Sequence, residues 1–130
     1  MRSVAVATGG AIGALARWAV SAWFPPTPPA FPWDTLTVNV VGAFGLGLVG
    51  VVLMEQVLRG TLLRSFIAIG VLGSFTTFSA MALEGVVLSE AGMPGQALGY
   101  WLATLILGQM AGVYGMWMAR RGVAWRTERT

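Results

Sequence analysis

Few residues in this chain could do chemistry, and they are polar groups set into apolar runs. Arg17, Asn39, Ser74, Thr76, Thr77, Ser79, Glu84, Tyr100, Thr104 and Gln109 nearly exhaust them. Cysteine and histidine are absent. That excludes thiolate and imidazole metal ligands, cysteine nucleophiles, Ser-His-Asp triads and histidine proton relays. Every basic residue is arginine, so lysine Schiff bases and P-loop chemistry are excluded too. Of that list, hydroxyls, two amides, one guanidinium and one carboxylate remain, together with backbone dipoles. Such groups bind an ion or solute, and the chain is not expected to be an enzyme.

The densest group is Gly73-Ser74-Phe75-Thr76-Thr77-Phe78-Ser79. Glycine followed by serine and threonines makes a poor unbroken helix. A break at membrane depth exposes carbonyl oxygens, which suit a small hard cation, and amide hydrogens, which suit an anion. A simple kink is the plainer reading. Asn39 has Thr35 one turn before it and Gly42 one turn after, on one helical side. Its amide reads either as glue between helices or as an ion-facing donor. Tyr100, Thr104 and Gly108 share a helical face. They form either a track of hydroxyls or an interfacial tyrosine followed by a threonine bonded to its own backbone. Phe78 and Met81 stand three residues apart. They read as core, or as groups facing an anion with an electropositive ring edge. Gly9-Gly10-Ala11-Ile12-Gly13 lies inside a helical pattern rather than after a strand, so it reads as close helix packing and not as a phosphate loop.

The elements that must position these groups are membrane helices. Of 130 residues, 56% are hydrophobic and 10% charged, against about 25% charged in soluble domains. Mean hydropathy is +0.74. Four apolar runs, residues 3–24, 36–54, 65–88 and 98–119, are each long enough to cross a bilayer. They form one four-helix domain over residues 1–130. Pro25, Pro26, Pro28, Pro29 and Pro32 break the chain after the first run. That run is too long for a signal peptide and contains Arg17. Arg2, Arg59, Arg64, Arg120, Arg121, Arg126 and Arg129 fall on the face of the termini, whereas the opposite loops hold Asp34 and Glu90. The positive-inside rule then puts both termini in the cytoplasm of a bacterial-type plasma membrane. Trp18, Trp23, Trp33, Tyr100 and Trp101 suit the outer interface, and Trp117 and Trp125 the inner one. The pI near 10.7 does not indicate nucleic-acid binding, because the arginines cap apolar runs instead of forming one polar face. Gly9/Gly13, Gly95/Gly99 and Gly108/Gly112 are small-residue pairs suited to contacts between subunits, or else to packing helices within one.

With these residues in hand, the chain resembles the small fluoride channels, the Fluc family. Gly9-Gly10-Ala11-Ile12-Gly13 with Arg17, Thr35-Leu36-Thr37-Val38-Asn39-Val40-Val41-Gly42, Gly73 to Ser79 with Glu84, and Tyr100 with Thr104 occur in the family's order. The likeness covers nearly the whole chain. It implies a third helix broken near its centre and an antiparallel, dual-topology dimer with two fluoride pores. It also implies a structural Na⁺ at the dimer centre, held by backbone carbonyls of Gly73 and Ser74. The implied pore residues are Asn39, Phe78, Ser79, Tyr100 and Thr104, with Thr35 beside them. Met81 stands where the family carries a second pore phenylalanine, and Ala80 where it carries a hydroxyl. Arg17, Thr76, Thr77 and Glu84 match further motif positions.

The resemblance implies fluoride leaving the cytoplasm passively; with no histidine and no acidic pair in the spans, proton-coupled pumping lacks machinery. A small multidrug exporter is the alternative, but its first helix needs a carboxylate that this one lacks. A non-conducting assembly subunit is the third reading. A dual-topology homodimer needs little arginine bias, and this chain has much. Together with Met81, that suggests one half of a heterodimer with an inverted homologue, Met81 marking a vestigial pore; the alternative is a homodimer that tolerates the arginine-rich tail.

Overall fold

The computed structural model describes residues 1–24, 30–54 and 61–127. Pro25, Pro26, Pro28, Pro29, Arg59 and Arg129 lie outside the described residues, as do the side chains of Trp125 and Arg126. The chain is all-helical: α1 (Arg2–Trp23), α2 (Trp33–Met54), α3 (Thr61–Arg64), a π-helical stretch (Ser65–Leu72), α4 (Gly73–Phe75), α5 (Phe78–Glu90) and α6 (Pro94–Thr127). Four candidate membrane spans result, Arg2–Trp23, Trp33–Leu53, Leu62–Glu90 and Pro94–Ala124. The protein is therefore a multi-pass membrane protein.

Local chemistry sets the ends. Phe24 is extended and precedes Pro25, a position where proline disfavours helical backbone. Asp34 sits in the first turn of α2, where a carboxylate meets the positive end of the helix dipole. After α5 the chain closes with Gly92 N–H donating to Ser89 O and Met93 N–H to Leu88 O. This turn requires the left-handed backbone of Gly92, at φ 79°. Pro94 then opens α6 at a position where its missing N–H costs nothing.

The spans pack as two pairs. α1 runs parallel to the first half of the third span, with Gly9 against Phe66 O and Gly70, and Gly13 against Val71 O and Phe75. A methyl group at Gly9 or Gly13 would overlap those carbonyl oxygens, so only glycine permits backbone-to-backbone contact here. Gly9 and Gly13 thus serve packing inside the subunit, not the expected contact between subunits. Gly95, Gly99 and Gly108, by contrast, face open space. In the second pair α2 lies along α6, with Gly47 against Gly112 O and Gly115 against Phe44 O.

The third span changes partner along its length: its first half packs on α1, and α5 packs on α6. A buried cluster lies at that second contact, joined by α2. Leu36, Met81, Leu88, Ala97 and Tyr100 form it, flanked by Phe31 and Trp101. Elsewhere large apolar side chains such as Leu15, Trp18, Leu83, Leu105 and Met110 are exposed, as expected of surfaces facing lipid or another subunit.

Candidate functional site

Between α4 and α5 two residues leave the helix. Thr76 (φ −77°, ψ 155°) and Thr77 (φ −147°, ψ 122°) are extended. An extended peptide among packed helices needs partners for its N–H and C=O. Asn39 supplies both for Thr77: its Oδ1 accepts the Thr77 N–H at 2.8 Å, and its Nδ2 donates to the Thr77 carbonyl at 2.9 Å. The Thr77 hydroxyl then caps α5, accepting the Ala80 N–H at 3.2 Å. It also lies 3.3 Å from the Ser79 hydroxyl. Thr76 folds back, its N–H (3.1 Å) and its hydroxyl (3.0 Å) both donating to Leu72 O. α2 comes this near because Gly42 is bare. A methyl group there would overlap Thr76 Cγ2.

The same geometry strips donors from two carbonyls. In a continued helix Gly73 O would receive the Thr77 N–H, which Asn39 holds instead. Ser74 O would receive the Phe78 N–H, which lies beyond the extended pair. Uncharged carbonyl oxygens without helical donors are suitable ligands for a hard cation. The donor set thus fits the Na⁺ that the resemblance implies, although two carbonyls are too few to complete its coordination. Among the described residues no cluster of three or more His, Cys, Asp or Glu could hold a metal.

One turn and more along α5, Glu84 joins three helices. Thr35 of α2 donates to Glu84 Oε1 at 2.8 Å, and Tyr100 of α6 donates to Oε2 at 2.7 Å. Tyr100 has no exposed surface. Its ring therefore does not face lipid, and its hydroxyl is engaged by a carboxylate. Thr104 donates to Tyr100 O at 2.8 Å, so the hydroxyl of this buried residue serves its own helix. Trp101 donates from Nε1 to Met81 O at 3.1 Å. Gly85 leaves room for that indole, which any side chain at 85 would strike.

Phe78 and Met81 separate. Phe78 is 76% exposed, whereas Met81 is buried in the core cluster. Of the two expected aromatic positions, only Phe78 is open to an ion or a second subunit.

Beyond the extended pair the third span leaves α1, and a cavity of about 550 Å³ opens where they part. Arg17 and Ser21 line it from α1, Asp34 and Thr35 from α2, and Thr77, Ser79 and Glu84 from the third span. The structure thus gathers Arg17, Thr35, Thr77, Ser79 and Glu84 around one space, and Asn39 is tied to it through the Thr77 peptide. Tyr100, Thr104 and Met81 do not line it. Asp34 was not among the expected site residues. The Thr35–Glu84–Tyr100 contact was also missed. Its signal was available, since a carboxylate within a span must find donors.

A sequence profile for the family described as CrcB-like protein, Camphor Resistance (CrcB), matches residues 4–116. Among similar proteins, fluoride-specific ion channel FluC 2 of Nocardia farcinica is 44% identical over 110 residues, covering 85% of this chain and 78% of that one. The fluoride-specific ion channel FluC of Thermus thermophilus is 43% identical over 115 residues, 88% and 90% of the two chains. FluC 1 of Streptomyces coelicolor is 41% identical over 121 residues, 93% and 79% of the two chains.

Proposed function

The chain belongs to the CrcB-like family, and from that premise we propose that it is a fluoride-specific ion channel through which cytoplasmic fluoride leaves passively. The observation that carries the reading is the extended Thr77 peptide, held by Asn39 beside a cavity that also contains Arg17 and Ser79. Fluoride is small and strongly hydrated, so a pore must replace its water with hydrogen-bond donors. Ser79 offers a hydroxyl and Arg17 a guanidinium. The first N–H groups of α5, at Phe78 and Ser79, have no acceptor one turn back. Asn39 keeps a second amide hydrogen. The exposed Phe78 ring adds an electropositive edge. Thr35, Glu84 and Tyr100 fix α2, α5 and α6 around this space. Met81 and Thr104 do not line it.

Gly73 and Ser74 would hold Na⁺ through their carbonyls, with a second chain supplying the remaining ligands. That fixed positive charge lowers the cost of an anion nearby. An antiparallel dimer supplies the second chain. Gln109 lies exposed in the middle of α6, and an amide facing hydrocarbon favours a partner there. The arginine distribution favours cytoplasmic termini in a bacterial plasma membrane. It also favours a heterodimer with an inverted homologue. Numbered relatives, FluC 2 of Nocardia and FluC 1 of Streptomyces, fit a family with two chains in one organism. Met81 contributes nothing to that argument, since a buried methionine is an ordinary core residue.

Fluoride efflux from liposomes tests the reading, with the chain purified alone and mixed with its nearest encoded homologue. Efflux from the chain alone establishes a homodimeric channel. Efflux only from the mixture establishes a heterodimer. No efflux from either overturns the channel. The family and its relatives speak against the multidrug-exporter and assembly-subunit alternatives.

A further inference from the structure

One charged group in the cavity has no part in the proposed route. Asp34 lies in the first turn of α2 and lines the same space as Arg17, Ser79 and Glu84. Glu84 is held by Thr35 and Tyr100; among the described residues no side-chain partner engages the Asp34 carboxylate. The space therefore carries two carboxylates against one guanidinium. In a cleft with apolar walls, field lines concentrate, and the sign of the lining charge governs how often an ion enters. A cavity whose donors suit an anion is thus opposed by a carboxylate among them.

Resting on the fluoride-channel reading, we propose that Asp34 limits the rate of anion entry. Its negative charge offsets Arg17 and keeps flux below what the hydrogen-bond donors alone would permit. Asp34 also complements the α2 dipole, so the test must separate charge from helix stability. Asp34→Asn keeps the shape but loses the dipole interaction together with the charge, so thermal unfolding is measured beside flux and a changed Tm marks the helix contribution. Initial fluoride efflux from liposomes is measured for native, Asp34→Asn and Asp34→Glu chains, in the assembly that conducts, with ionic strength set by an impermeant salt. At about 0.01 M, where screening extends over roughly 30 Å, Asp34→Asn is expected to conduct about threefold to tenfold faster than native. The ratio falls towards one near 1 M, where screening shortens to about 3 Å. Asp34→Glu, which keeps the charge, stays near the native rate.

A ratio at or below one at low ionic strength, with dimer content unchanged, overturns the inference. So does a ratio that salt leaves unaltered, since that is the mark of a structural effect. If Asp34→Asn fails to fold, Asp34→Ser takes its place under the same criteria. Absence of efflux from every chain, native included, overturns the channel reading and this inference with it. Conduction by native chains with no gain on neutralising residue 34 overturns the inference alone.

Discussion

Asn39 does for Thr77 what a neighbouring strand would do, meeting both its N–H and its C=O with one side chain. Asn39→Ala leaves two backbone groups without partners, at about 1–3 kcal/mol each. A loss of about 2–6 kcal/mol in stability and loss of fluoride efflux are expected, measured by thermal unfolding in detergent and by the liposome assay. Asn39 and Thr77 were legible from sequence because an amide and a hydroxyl-rich stretch are conspicuous in apolar spans. Whether the amide served the protein or the ion was not legible, because that depends on which peptide lies opposite. Glu84, Thr35 and Tyr100 stand far apart in the chain. Only the packing of three helices makes them one group. Thr104 followed the plain rule that an intramembrane threonine bonds its own helix.

At the scale of the helices, the fit between α1 and the π-helical stretch is the most exacting feature. Val71 O lies where a Gly13 side chain would begin. Gly13→Val must push the two backbones apart, and a loss of about 1–3 kcal/mol is expected as a lower Tm. Gly99→Ala provides the contrast, since a methyl group at Gly99 meets nothing among the described residues. It should leave folding intact or improve it, alanine being the better helix former. A Gly99→Ala chain that folds but no longer dimerises would place Gly95 and Gly99 against the second subunit. Hydropathy located the spans because lipid imposes length and apolarity. It could not locate the π-helical stretch, whose register reflects the approach of another backbone. Nor could it show that the third span passes from α1 to α6, since every face of such helices is apolar.

At the scale of the molecule, α1 and α2 have 22 residues each, whereas α6 has 34. At roughly 1.5 Å per residue α6 is about 50 Å long, against about 30 Å of hydrocarbon. The excess length carries its arginine-rich end, with Arg121 4.1 Å from the Trp117 ring centroid, past the hydrocarbon as a short stalk. That stalk is a flag for orientation. An inverted pair raises one on each side of the membrane. A parallel pair raises both on the same side. With the chain paired with itself, an antibody fragment against the stalk, added outside sealed vesicles, would tag one subunit of every inverted dimer. Parallel dimers would instead be tagged twice or not at all. Counting fragments on single dimers, released after the free antibody is washed away, would thus read the architecture of the assembly without any ion crossing the membrane.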